Sequence, residues 1–200
     1  KTFLMFGCLV LVFLSGFRGI EIGNDTAAYV NIFDSIKDNG IFFAFIARYE
    51  IGYIYLNKLF IGLGMSVHQL FLFIAIIIIF PISNFIKKHS HYLLLSLFLF
   101  IGLRFYFSSF NILRQHIALS FFLTGITYFK INRKNLIIAI LLGSLFHYGC
   151  LILLVLPLVY KIKINNKLLL VLGVVGVFIF INFTAIFSFL LSKVGLYSHY

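Results

Sequence analysis

Three stretches of the sequence place polar side chains where they could do chemistry, and the first follows an apolar N-terminal segment. It contains Arg18, Asp25 and Tyr29. Gly23 and the polar residues after it predict a turn into a helix, on which Asp25 and Tyr29 would lie one turn apart on one face. In that arrangement both side chains would face a substrate. The alternative is that Asn24 or Asp25 is only a helix N-cap.

The second stretch begins at Asn111 and continues through Arg114, Gln115 and Ala118. Their spacing of i, i+3, i+4 and i+7 predicts that they share one helix face. Arginine suits a phosphate or pyrophosphate, because its planar guanidinium donates two parallel hydrogen bonds. The alternative is that Arg114 only extends to the membrane interface. His116 points to the other side of this helix and is assigned no role.

The third feature is His147, which lies in an apolar run. Such a histidine is often a hydrogen-bonded packing residue, but an ionisable group at membrane depth also indicates a site. Imidazole suits general base catalysis near neutral pH. Arg48 and Arg104 are further cations that either bind a ligand or anchor the chain at the interface. The sequence contains no metal-binding or phosphate-loop motif, so we expect neither a metal nor a cofactor.

The composition identifies the environment in which these residues act. Hydrophobic residues make up 62% of the chain and charged residues 10%, against about 45–50% and about 25% in soluble domains. Long continuous apolar runs exclude a soluble domain and the alternating strands of a barrel. Cys8 and Cys150 lie in such runs and are interpreted as packing residues. We therefore predict an all-α, polytopic integral membrane protein with about six or seven transmembrane helices.

The predicted spans are residues 2–17, 67–86, 92–107, 112–129 and 167–191. An insert at 18–50 and an interfacial or re-entrant helix at 51–63, capped by Glu50, separate the first two spans. Residues 134–160 form either a short hairpin that turns near His147, Tyr148 and Gly149, or one tilted helix. We favour the hairpin, because it returns the third basic loop to the side of the other two. All of these elements are assigned to one domain, 1–200.

The distribution of charge predicts the orientation. The net charge of +11 comes mostly from short basic loops near residues 87–88, 130–134 and 161–167, which favours membrane topology over nucleic-acid binding. Basic short loops face the cytoplasm, so the insert, with all five acidic residues, lies outside. We therefore expect Arg18, Asp25, Arg114 and His147 to converge on one outward-facing cavity. The acidic residues are Glu21, Asp25, Asp34, Asp38 and Glu50.

In these features the chain resembles the EpsG family of polysaccharide polymerases, relatives of the Wzy-type O-antigen polymerases. The resemblance covers nearly the whole chain and depends on the order and approximate spacing of its motifs. Because family members are usually longer, we expect this chain to be a fragment. The motifs are Arg18 followed by Gly23, Asp25, Thr26 and Tyr29; Tyr49-Glu50-Ile51-Gly52-Tyr53; and Asn111-x-x-Arg114-Gln115-x-x-Ala118, followed later by Phe146-His147.

The resemblance implies a multi-pass enzyme of the bacterial inner membrane. By glycosyl transfer on the outer face, it would join repeat units carried on undecaprenyl pyrophosphate into O-antigen, capsule or exopolysaccharide. We expect Asp25 or His147 to act as the catalytic base. The expected partners are the lipid-linked glycan, the bilayer, and chain-length regulator and flippase proteins, with no nucleic acid. The residues expected to bind pyrophosphate or sugar are Arg18, Tyr29, Arg104, Asn111, Arg114 and Gln115.

Two other classes of function also fit the sequence. A flippase or transporter of lipid-linked oligosaccharides would likewise place an arginine in a membrane cavity. Broken helices and pseudo-symmetric halves would favour it, and the sequence shows no such halves. A membrane acyltransferase acting on polysaccharide would depend on a histidine deep in the membrane. It would not need the insert that carries Arg18 and Asp25.

Overall fold

A computed structural model describes residues 2–46, 48–128, 133–160 and 165–194 of the chain. Every regular element in these ranges is helical, which confirms the all-α prediction. The helices are α1 (Thr2–Gly16), α2 (Thr26–Asn39), α3 (Ile41–Ile46), α4 (Ile51–Gly62), α5 (Val67–His89), α6 (Leu93–Gly102), α7 (Phe105–Asn111), α8 (Leu113–Thr127), α9 (Arg133–Ser144), a 3₁₀ helix (Tyr148–Leu154), α10 (Val155–Val159), α11 (Asn166–Ile181) and α12 (Phe183–Val194).

The chain divides into two compact units, Lys1–Leu158 and Val159–Tyr200. In the first unit α5 packs between α1 and α8, and α9 packs on the other side of α8. Helices α2, α3 and α4 pack against one another, and α4 also contacts α5. In the second unit α11 contacts α12, and α11 has no buried side chain. The single domain predicted over 1–200 stays a prediction.

Helix α5 is the central element of the first unit, and its ends follow from its sequence. Ser66 caps the N-terminus in a reciprocal capping box with Gln69, which satisfies two free backbone donors. The basic residues of the last turn, among them Lys88, favour the negative end of the helix dipole. Its buried residues recur at helical spacing, so one face of α5 faces the core. They are Leu70, Phe71, Ile74, Ala75, Ile78, Ile79 and Ile86.

Small residues set the distance between α8 and α9. A Cβ on Gly125 would lie 2.7 Å from the Cβ of Ala139, and one on Gly143 would lie 2.9 Å from the carbonyl oxygen of Ala118. The two backbones therefore approach more closely than larger side chains would allow, as is common between membrane helices. These pairs also show that α8 and α9 run in opposite directions.

The ends of α1, α5 and α8 lie at two opposite ends of the first unit. The Lys88 ammonium donates to the carbonyl of Thr127 over 2.7 Å and lies 4.2 Å from the ring centre of Tyr128. The C-terminal ends of α5 and α8 therefore meet at one end of the first unit. Gly16, at the end of α1, lies against Leu72 near the start of α5, so the segment that follows α1 lies at the other end.

Two of the predicted spans are broken. The span at 92–107 forms α6 and α7, bent by 45° where Arg104 has a left-handed backbone with φ 65°. The span at 167–191 forms α11 and α12, bent by 74° around Asn182. The amide of Asn182 donates to the carbonyl of Phe178 over 2.9 Å, a side-chain bond to the backbone at the helix end.

The segment 134–160 turns back on itself, so the alternative of one tilted helix is wrong. Helix α9 ends at Ser144, and the 3₁₀ helix that begins at Tyr148 packs against α9 and α8. Cys150 is buried in this contact beside Gly143, which agrees with its interpretation as a packing residue. The turn lies at residues 145–147, next to the position predicted for it.

The membrane character agrees with the described surface, while the number of spans stays a prediction. Among the described residues, α5 is the one helix long and apolar enough to cross a membrane, and at most three spans result if each bent pair counts as one. Large apolar side chains are exposed along α1, among them Phe3, Phe6 and Phe13, as expected where lipid covers the surface. The helix predicted at 51–63 forms as α4, and its position at the membrane interface stays a prediction.

Candidate active site

A buried carboxylate joins the two residues that the sequence favours most. One oxygen of Glu50 accepts a hydrogen bond from Nη1 of Arg114, and the other lies 3.2 Å from Nδ1 of His147. The Glu50 side chain is 7% exposed, Arg114 29% and His147 38%. We call these three residues the Glu50 cluster. It combines a cation, a carboxylate and an imidazole at one place.

Backbone packing frees Glu50 for this role. Glu50 occupies the N-cap position of α4, as predicted, but its side chain makes no capping hydrogen bond. The N–H of Gly52, in the first turn of α4, donates instead to the carbonyl of Leu145 over 2.8 Å. A free donor of the helix start is thereby satisfied from the turn after α9. The carboxylate is left to bind side chains.

His147 lies in that same turn, and its hydrogen bond fixes how the imidazole can react. An ionised carboxylate only accepts, so the bond to Glu50 requires the proton on Nδ1. Nε2 then carries the lone pair and can take a proton from a hydroxyl. Space beside Nε2 is provided by Gly149, where a Cβ would lie 3.0 Å from that atom.

Arg114 lies in the first turn of α8, where Tyr49 and Glu50 contact its guanidinium. Its guanidinium carbon lies 4.8 Å from the ring centre of Tyr49, a cation–π contact, and Nη1 donates to Glu50. Its buried Nε finds no partner among the described residues. The guanidinium therefore has donors beyond the one that Glu50 uses.

Tyr29 and Asn111 position the start of α8 rather than extend its face. The hydroxyl of Tyr29 donates to the carbonyl of Asn111 over 2.9 Å and accepts from the N–H of Leu113 over 3.1 Å. Burial raises the pKa of Tyr29, against the effect of nearby Arg114, so the hydroxyl stays protonated at neutral pH. The predicted common face of Asn111 and Arg114 is wrong, because the helix breaks at Ile112 between α7 and α8.

Arg18 is enclosed. The residue is 3% exposed, and its guanidinium carbon lies 4.3 Å from the ring centre of Phe71 and 4.9 Å from that of Phe110. It donates to the hydroxyl of Thr26 and to the carbonyl of Ser15. Burial lowers the pKa of Arg18 to about 10, so it remains a cation at neutral pH. No hydrogen bond or ion pair connects it to the Glu50 cluster in the described residues.

Three other predicted site residues lie outside the cluster. Asp25 begins α2 as its N-cap without a side-chain capping bond, Arg104 lies at the bend between α6 and α7, and Gln115 lies on α8. All three are exposed, and their side chains make no hydrogen bond or ion pair with described residues. His116 is buried, with its ring nitrogens 3.1 Å from the hydroxyl of Ser108 and 3.2 Å from the carbonyl of Ile112, as suits a packing residue.

Comparison with known protein families identifies the family of the chain. The profile of the EpsG family matches residues 1–200, the whole chain. The chain belongs to the EpsG family. EpsG is a Wzy-like polymerase family, so the resemblance seen in the motifs is confirmed, and the membership indicates a membrane-associated polysaccharide polymerase. No curated protein and no solved structure matches the chain.

In this EpsG chain the ordered motifs meet in space. Glu50 comes from the second motif, Arg114 from the third and His147 from the pair that follows it, separated by up to 97 positions in sequence. The second motif also supplies Gly52, which approaches Leu145 too closely for any side chain.

Sequence reasoning missed Glu50 as a member of the site and missed Tyr49 beside Arg114. The available signal was that an acidic residue stood inside a family motif, while an N-cap explained it equally well. Among the described residues no group of three or more His, Cys, Asp or Glu side chains is arranged to hold a metal ion.

Proposed function

We propose that this EpsG polymerase joins oligosaccharide repeat units carried on undecaprenyl pyrophosphate, by glycosyl transfer on the outer face of the bacterial inner membrane. The observation that carries the proposal is the Glu50 cluster. It holds Arg114, a cation suited to pyrophosphate, close to His147, an imidazole with a free lone pair.

The two residues have complementary tasks in such a transfer. His147 Nε2 takes the proton from an acceptor sugar hydroxyl, whose oxygen forms the new bond to the anomeric carbon of the donor. The bond between that carbon and the pyrophosphate oxygen breaks, and the electron pair leaves with the pyrophosphate. Arg114 donates to the leaving group and stabilises its charge. A positioned base of this kind contributes about 10²–10⁴-fold to the rate.

The geometry bears on two choices that the sequence left open, namely which arginine binds the pyrophosphate and which residue acts as the base. Arg18 is enclosed between two phenylalanine rings, so Arg114 is the better partner for the pyrophosphate. Asp25 is exposed and has no orienting partner in the described part of the chain, whereas His147 is held by Glu50. A base that is oriented by a third group is the arrangement that catalysis needs.

The outer face is supported by the helix ends. Arg114 lies in the first turn of α8 and Thr127 at its last turn, about 20 Å away at a rise of 1.5 Å per residue. The Thr127 end carries Lys88, and basic short loops favour the cytoplasm. The Glu50 cluster therefore belongs to the outer side under this rule.

One observation also fits the flippase alternative, since α6 and α7 form a broken helix. Deleting the gene in its host and separating the lipid-linked glycans on a gel distinguishes the two. Loss of a polymerase leaves single repeat units on the carrier or on lipid A, whereas loss of a flippase leaves repeat units trapped inside the cell.

Complementation then tests the site itself. At matched protein levels, Arg114→Ala and His147→Ala should fail to restore long chains. The control is His68→Ala, since His68 is exposed in the first turn of α5 and outside the cluster. Long chains from His147→Ala would refute the assignment of the base.

A further inference from the structure

The Glu50 cluster has two partly exposed members and one buried member. The side chains of Arg114 and His147 are 29% and 38% exposed, while that of Glu50 is 7% exposed. Resting on the proposed function, we infer that Glu50 is an internal stand-in for the pyrophosphate of the substrate. It occupies Arg114 in the substrate-free protein, yields that position to the pyrophosphate, and keeps its bond to His147.

The chemistry of the contact supports a substitution of one anion by another. A carboxylate oxygen and a phosphate oxygen are both charged acceptors that match the donors of an arginine side chain. Glu50 holds Arg114 through Nη1 alone, and the Arg114 side chain remains 29% exposed. A ligand can therefore begin to bind Arg114 before Glu50 has left.

The balance of charge explains why Glu50 would have to leave Arg114. With a neutral imidazole, one arginine and one carboxylate, the cluster has no net charge. A pyrophosphate diester brought to the same arginine would meet the carboxylate, and like charges in one site repel. Turning Glu50 away from Arg114 removes this repulsion.

The retained bond gives the released carboxylate a second use. When Nε2 of His147 takes the acceptor proton, the imidazole becomes a cation whose Nδ1–H still points at Glu50. A carboxylate no longer shared with Arg114 stabilises this cation more strongly, as in triads where an acid orients a histidine. Binding of the leaving group and activation of the base are thereby coupled through one side chain.

The stand-in has a measurable effect on affinity. A ligand binds only those molecules in which the internal partner has left the site. Its apparent affinity therefore falls in proportion to the fraction of such molecules. A partly screened ion pair reduces that fraction by up to roughly fivefold. Glu50→Gln keeps the shape of the side chain but removes its charge, so it should bind pyrophosphate up to roughly fivefold more tightly while polymerising more slowly.

The test uses the full chain in nanodiscs, with undecaprenyl pyrophosphate as the titrated probe and polymerisation measured alongside. Glu21→Gln is the matched control, because it removes one negative charge from an exposed position of the same insert. Tighter binding with slower polymerisation in Glu50→Gln, and no change in Glu21→Gln, is the expected result. Glu50→Asp, which shortens the carboxylate without removing it, should also bind more tightly and covers the case in which Glu50→Gln does not fold.

The outcomes separate the two proposals. If the wild type binds the probe and polymerises, but the Glu50 variants bind it equally or more weakly, Glu50 is only a structural partner and the stand-in is refuted. If the wild type neither binds the probe nor polymerises, the proposed function fails and the stand-in fails with it.

Discussion

Gly52→Ala is the most direct test of how the fold builds the site. The added Cβ would lie 2.7 Å from the carbonyl oxygen of Leu145 and 3.0 Å from its carbonyl carbon. Both are backbone atoms, and ordinary contact begins at 3.4 Å, so the start of α4 and the turn after α9 must separate by about 0.7 Å.

That separation acts on two bonds. The hydrogen bond from Gly52 N–H to Leu145, now 2.8 Å, would lengthen to about 3.5 Å, beyond the usual limit. The contact between Glu50 and His147, now 3.2 Å, would open by a similar amount. Loss of the backbone bond costs about 1–3 kcal/mol of stability, and misplacing a catalytic group by about 1 Å can cost roughly 10²-fold in rate.

The assay is the length distribution of the surface polysaccharide in a deletion strain that carries each variant at matched protein level. We expect Gly52→Ala to give mostly single or short repeats. The control is Gly62→Ala in the same helix, where a Cβ would meet nothing within 4 Å, and it should give wild-type chains. Full-length chains from Gly52→Ala would show that the close approach does not position the site.

Three further substitutions test individual contacts. Arg114→Lys should insert normally but lose most polymerisation, since lysine keeps the charge but not the planar fork; full-length chains would refute bidentate binding. Gly149→Ala should lower polymerisation roughly tenfold or more at normal stability, because its methyl group would lie 3.0 Å from Nε2 of His147 and crowd the acceptor. An unchanged rate would show that the acceptor does not reach Nε2 through the space beside Gly149. Tyr29→Phe should cost about 1–3 kcal/mol of stability by leaving two backbone groups at the α7–α8 break unpaired, whereas the exposed Tyr55→Phe should not. Both tyrosine variants can be followed by thermal unfolding with a thiol-reactive dye, because the free cysteines are buried.

The parts of the fold that local sequence determines were predictable. The apolar runs gave the helices, and α5 begins at Val67, the residue predicted, because a capping box precedes it. The turn at Gly23 before α2 was likewise predictable from the residue types. Gly23 has a φ of 93°, a left-handed conformation that glycine adopts readily.

The breaks in the helices depend on tertiary contacts and were not predictable. Arg104 adopts a left-handed backbone that its residue type does not favour. At the break at Ile112, the carbonyl of Asn111 and the N–H of Leu113 are hydrogen-bonded to Tyr29, which lies more than 80 positions earlier in the chain. No local pattern distinguishes these positions from continuous helix.

The candidate site was predictable in its reactive members and not in the residue that joins them. Arg114 and His147 stand out as polar residues beside apolar runs. By local pattern, Glu50 is equally well explained as an N-cap. Its side chain is free of that role because the carbonyl of Leu145 accepts the hydrogen bond from Gly52 at the start of α4.

The spread of the Glu50 cluster along the chain also sets the order in which it is made. Glu50 precedes Arg114 by 64 residues and His147 by 97, which corresponds to roughly 3–13 s and 5–19 s of synthesis at about 5–20 residues per second. Until Arg114 has been synthesised the carboxylate has neither partner, and an unpaired charge is costly to bury. Glu50 must therefore stay hydrated until Arg114 is in place, and the cluster is complete only when the helical hairpin of α9 and the 3₁₀ helix has formed. Substitutions that delay this hairpin would reduce activity by prolonging biogenesis, even where they touch no residue of the site.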